Sequence, residues 1–100
     1  MGKSKTVKSL SENLCCVSDE NRIAILVFLK KGERCVCEIW KELNLPQNLV
    51  SHHLKVLKDG KFIHSRKDGL KVFYSLEEDK ISNFCCSLED IFIDKKKKTL

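Results

Sequence analysis

Between residues 36 and 57 the apolar residues form two helical stripes separated by a very short turn. Val36, Ile39, Trp40 and Leu43 recur at i, i+3, i+4 and i+7, which places them on one face of a helix. Asn44-Leu45-Pro46 follows, a tight turn in which proline suits the start of a new helix. Val50, Leu54 and Leu57 mark a second stripe, on a helix from Gln47 to Lys58 that Asp59-Gly60 ends. So short a turn gives neither helix room to leave the other, and their stripes must share one core.

The flanking segments complete the pattern. Val7, Leu10 and Leu14 predict a short first helix. Ser18-Asp19-Glu20 caps a second helix, which runs to Leu29 and is apolar enough to be central. Lys30-Lys31-Gly32 ends it. Beyond Gly60 the period changes. Phe62-Ile63 and Val72-Phe73-Tyr74 flank Asp68-Gly69, a strong hairpin signal. Ile81, Phe84, Cys85, Leu88, Ile91 and Phe92 give a closing helix with a broad apolar face. The expected architecture is mainly α with a β-hairpin wing, in the order α-α-α-α-β-β-α: a winged helix-turn-helix. It forms one domain over residues 1–100, with 1–8 and 95–100 expected to fray. A chain this small buries only part of its surface, so a second copy would help stabilise it.

The net charge of +5 is unevenly placed. Without Lys3, Lys5, Lys8 and Lys95 to Lys98, 12 basic residues face 14 acidic ones. Residues 45–71 hold six Lys/Arg against two acids, and residues 77–94 hold one Lys against six acids. The middle of the chain is suited to an anion and the last segment is not. The longest apolar run, IAILVFL, is too short to span a membrane, and the basic start leads into no apolar segment, so neither a membrane span nor a secretory signal is expected.

The outward face of the Gln47–Lys58 helix shows Gln47, Asn48, Ser51, His52, Lys55 and Lys58. Short hydrogen-bonding groups come first and cations last. A recognition helix reads base edges of double-stranded DNA with its N-terminal residues, while lysine neutralises phosphate. Any surface helix has a polar face; the turn before this one and the basic hairpin after it favour recognition. Lys61, Arg66, Lys67 and Lys71 are placed to meet the flanking backbone. His53 lies nearer the buried stripe and reads as a packing residue.

Six cysteines in a short chain raise the possibility of a disulfide scaffold. Cys15-Cys16 and Cys85-Cys86 are adjacent, and neighbours bridge each other only with strain. The helical core needs no staples, so the thiols are expected reduced, in the cytoplasm.

VSDENRIAIL, ERCVCEIWKELNLPQNLVSHHLKVLKDGKFI and RKDGLKVFYSL together resemble the ArsR/SmtB repressors. The resemblance covers roughly residues 10–90; CVCEI, VSHHLKVLK and KDGLKVFYSL are its most specific pieces. It implies a homodimeric cytoplasmic transcriptional repressor and no enzyme, with the first and last helices at the dimer interface. DNA binding would need no cofactor, and the operator would be released when a metal or metalloid binds.

In that family Cys35 and Cys37 resemble a soft-metal site. Thiolates suit As(III), Cd(II), Pb(II) and Zn(II). On an ideal helix, residues i and i+2 point nearly opposite ways, so one ion would require a frayed or distorted helix start. The helix N-terminus and Arg34 are expected to lower the thiol pKa values. Two semi-buried thiols flanking Val36 would be the plain structural alternative. Some members carry a third cysteine where this chain has Trp40, so a further sulfur would come from Cys15 or Cys16, of the same chain or across the dimer, or less readily from Cys85 or Cys86. No histidine follows His64, so the family's zinc site on the last helix is not expected. A thiol redox or persulfide sensor on the same fold is the runner-up. A structural zinc module and a thiol enzyme fit less well, because the C-x-x-C pairs and the base-and-orienter set are missing.

Overall fold

The computed structural model describes residues 5–93; the expected fraying at 95–100 and the first residues lie outside that range. The described order is α1 (Lys5–Val17), α2 (Glu20–Leu29), β1 (Arg34–Cys35), α3 (Val36–Leu43), α4 (Gln47–Asp59), β2 (Ile63–Asp68), β3 (Lys71–Leu76) and α5 (Glu78–Phe92). Residues 5–8, expected to fray, belong to α1. The helix–turn–helix and the wing stand where the periodicity put them.

Local chemistry explains the boundaries. Asp19 caps α2 by accepting from the Asn21 and Arg22 amides at 2.8 and 3.1 Å. Asn44 ends α3 in the left-handed conformation (φ 54), which asparagine tolerates. Pro46 is the N-cap of α4. Asp68 pairs with Lys71, so the hairpin loop is Gly69-Leu70 rather than Asp68-Gly69, with Gly69 at φ 63. Packing favours glycine at Gly60: a Cβ there would stand 2.6 Å from the Cys16 sulfur, which would have to shift, where α1 meets the end of α4.

The expected architecture lacked one element. Arg34 and Cys35 form a third strand that pairs antiparallel with Tyr74 and Phe73, giving a sheet of order β1-β3-β2. Two residues carry no alternation, so only tertiary pairing reveals this strand.

The core gathers Ile25 and Leu29 from α2, Ile39 from α3, Val50, Leu54 and Leu57 from α4, and Phe62 and Ile63 at the wing's base. Burying one such side chain contributes about 1.5–3 kcal/mol, so these contacts fix α4 firmly on its neighbours. The terminal helices are less covered. Leu10 is the buried residue of α1 and none of α5 is fully buried, while Leu14, Ile91 and Phe92 are exposed.

His53 is buried, as its place beside the stripe suggested. The Arg22 guanidinium donates to its Nδ1 (3.1 Å), which leaves the proton on Nε2, 3.8 Å from Asp19. Burial pushes the His53 pKa below that of free histidine; the Asp19 carboxylate partly opposes this, while Arg22 and His52 add to it. A neutral folded imidazole that protonates on unfolding favours the fold above about pH 6.5, the free-histidine value. The melting temperature should therefore fall as pH drops below that value, and less steeply in His53→Gln. A pH profile of equal slope in both would show that His53 contributes nothing to it.

Candidate DNA interface and thiol pair

On α4 the buried stripe is Val50, His53, Leu54 and Leu57, and the exposed face carries Gln47, Asn48, Ser51, His52, Lys55 and Lys58. These side chains share one surface because residues three and four apart on a helix are neighbours. Lys55 lies 3.0 Å from Asp59, but both ends are well exposed, and such a pair yields easily to phosphate. On the wing, Lys67 and Lys71 are exposed. Arg66 differs from them. Its Nε and a terminal nitrogen donate to the two Glu33 oxygens at 2.8 and 2.7 Å, and its guanidinium lies 4.7 Å over the Phe73 ring. Glu33 is accordingly held below the usual carboxylate range, chiefly by the Arg66 hydrogen bond.

Cys35 and Cys37 converge. Helix α3 begins at Val36, so Cys35 is its N-cap with extended backbone (φ −80, ψ 160) and not a helical residue. The two sulfurs stand 2.7 Å apart. The divergence expected of i and i+2 on an ideal helix is therefore absent, because the helix starts between the two cysteines. Glu38 completes the turn by accepting the Cys35 amide at 3.0 Å. Cys35 is buried and Cys37 half-buried.

The expected lowering of the Cys35 thiol does not occur. Its pKa is raised, first by the hydrogen bond with Cys37 and then by burial. Arg34 does not reverse this; its guanidinium lies 5.1 Å over the Phe28 ring.

The other cysteines stand elsewhere. Cys16 points its sulfur at the Val56 carbonyl, 3.5 Å away, and burial raises its pKa. Cys15 is exposed, beside an apolar groove of about 460 Å³ where α1 meets Phe92. Cys85 and Cys86 are exposed on α5, and Cys85 lines a larger groove of about 740 Å³ against α2. Among the described residues no group of three or more His, Cys, Asp or Glu side chains is arranged to hold an ion. At the start of α3 the described residues bring together a pair of sulfurs.

The model of the bacterial regulatory protein arsR family matches residues 19–65, from the cap of α2 into β2. An arsenical resistance operon repressor of Staphylococcus aureus is 41% identical over 69 residues, which are 69% of this chain and 66% of that one. The repressor of the same name from Staphylococcus xylosus is 38% identical over 72 residues, 72% of this chain and 69% of its own. The chain belongs to the ArsR family. The homodimeric winged helix-turn-helix domain of a possible ArsR-family regulator from Mycobacterium bovis shares the fold, with a TM-score of 0.72 at 21% identity, covering 100% of this chain and 99% of that one. As an ArsR-family member the protein is a DNA-binding transcriptional repressor and not an enzyme. In ArsR terms, α3 and α4 are the helix-turn-helix and β2–β3 the wing. Among the described residues no helix is long and apolar enough to cross a membrane.

Sequence reasoning missed Glu33 and Glu38, the two acids that flank the thiols and hold Arg66 and the Cys35 amide. The one available signal was Glu38 three residues after Cys35, the capping-box spacing, and Cys35 is not a usual cap residue.

Proposed function

We propose that this repressor binds its operator as a cytoplasmic homodimer and releases it when a thiophilic metal or metalloid is taken by Cys35 and Cys37. Arsenite, cadmium, lead and zinc are the candidate inducers. The convergence of the two sulfurs at the seam of β1, α3 and the wing carries this reading. The names of the staphylococcal relatives, both repressors of arsenical resistance operons, point the same way. A ligand on the N-cap residue disturbs the first turn of α3, which packs on α4, and so couples to DNA. Cys15 or Cys16 of a partner subunit would supply a further sulfur, with Cys85 and Cys86 as the less favoured source. A serine at each of the four positions in turn tests this by loss of metal affinity.

In the same proposal Gln47, Asn48, Ser51 and His52 meet base edges, and Lys55, Lys67 and Lys71 meet phosphate. Arg66, held by Glu33, positions the wing instead. Ser51→Ala and His52→Ala should each narrow the gap between operator and unrelated DNA, by about 1–3 kcal/mol where a base contact is lost. Lys67→Ala should weaken binding to both DNAs alike and lower the slope of log affinity against log salt by about 1. Anisotropy titrations over a salt series read both. If Lys67→Ala changed sequence preference while the α4 variants changed nothing, the division of roles would be wrong.

The close approach of the sulfurs also favours a second reading, in which an oxidant such as hydrogen peroxide joins them in a disulfide. Operator release by peroxide in metal-free buffer, with no release by arsenite or cadmium, would select it.

A further inference from the structure

The three strands bring the thiol pair and the wing into one hydrogen-bonded unit. Cys35 on β1 faces Phe73 on β3, and Phe73 faces Arg66 on β2. Arg66 lies over the Phe73 ring and reaches back to Glu33, the residue before β1, with both carboxylate oxygens engaged. Ser75 on β3 adds a donor to the same carboxylate at 3.4 Å. Glu33 and Arg66 thus tie the outer strands together over the middle one. A solvent-exposed ion pair adds little to stability, so its value here is geometric. The guanidinium fork fixes two strands at one angle, which a lone lysine could not do.

We infer that Glu33 and Arg66 are positioning residues that transmit a change at Cys35 and Cys37 to the wing. The inference rests on the proposed release by metal. Without the tie, β1 and β3 and the hairpin keep their backbone pairing, but the outer strands β1 and β2 lose the side-chain bond that holds them at a fixed angle across β3. The energetic link between thiols and DNA then weakens, while each site keeps its own affinity.

The test uses Glu33→Gln and the charge exchange Glu33→Arg with Arg66→Glu, in the full chain. Arsenite affinity is read from the fluorescence of Trp40, the single tryptophan, and operator affinity from anisotropy with and without arsenite. Coupling between two sites commonly spans about 5- to 150-fold. Glu33→Gln should bind arsenite alone and operator alone within about threefold of the parent, with the coupling ratio reduced at least about threefold. The exchange should recover part of the lost ratio. Amide hydrogen exchange across residues 34–35 and 73–75 should quicken in Glu33→Gln and recover in the exchange, a readout that needs no metal. A parental coupling ratio in Glu33→Gln overturns the inference and leaves metal release standing. A parent that shows no coupling overturns metal release itself, and the inference with it. A lower salt slope in Arg66→Ala, with coupling unchanged, would make Arg66 a phosphate contact and likewise overturn the inference.

Discussion

Replacing Cys35 and Cys37 together by serine is expected to leave a folded, operator-binding protein that no longer releases DNA to arsenite or cadmium. Cys35 is buried at the N-cap of α3, a position that serine occupies well, so the loss of packing is offset by a better cap. Cys37 is only half-buried. Serine nearly keeps the size but presents a hard hydroxyl that stays protonated near neutral pH, where a soft ion needs a thiolate. Disturbing an outer-sphere partner of a metal site typically costs 10- to 100-fold in affinity; removing both sulfurs should cost at least about 100-fold. The inducer concentration for half-release should rise by that factor, while operator affinity without inducer changes little. Titration of the reduced proteins with metal, reading DNA release, decides it. Parental sensitivity in the double variant would make the pair structural and move sensing to Cys15-Cys16, to Cys85-Cys86 or away from metal.

What could be read from the sequence follows the range of the interactions. The stripes Val36–Leu43 and Val50–Leu57 are local patterns, and the helices stand where their period put them. The turn at Asn44 is local as well, and so is the hairpin signal, but the loop falls at Gly69-Leu70, one residue beyond the expected Asp68-Gly69. Strand β1 is not. It exists because Tyr74 and Phe73, some forty residues on, offer a free edge. The judgement on the thiols depended on that strand. Taken as two helical residues, Cys35 and Cys37 diverge; taken as a strand residue and a first-turn residue, they converge. The expected lowering of the thiol pKa rested on helix dipole and Arg34. It did not count the second thiol and the burial, which dominate at Cys35. Arg66 shows the same limit, since its charge was legible and its partner Glu33, across the sheet, was not.

The second large effect is expected at the far end of the molecule, in Phe92→Glu. Helix α5 has no fully buried residue although its apolar face is broad, and Phe92 is 70% exposed at its end. Leu14 of α1 and Ile91 are exposed beside it, around the groove that α1 and α5 form. The proposed homodimer, joined through these helices, would cover that surface. Because Phe92 is exposed in the single chain, a glutamate there should cost the monomer fold little. Across a dimer interface it would bring two like charges into an apolar contact. Sedimentation should then show a monomer at micromolar concentration where the parent is a dimer. Operator affinity should fall by about 10²-fold or more, because two linked recognition helices bind successive grooves as one event and separated ones do not. The circular dichroism spectrum should stay that of a helical fold, which separates lost assembly from lost structure. A variant that remains dimeric with parental operator affinity would place the interface elsewhere. A parent that is itself monomeric on DNA would exclude the dimer altogether, and a sulfur contributed by a partner subunit with it.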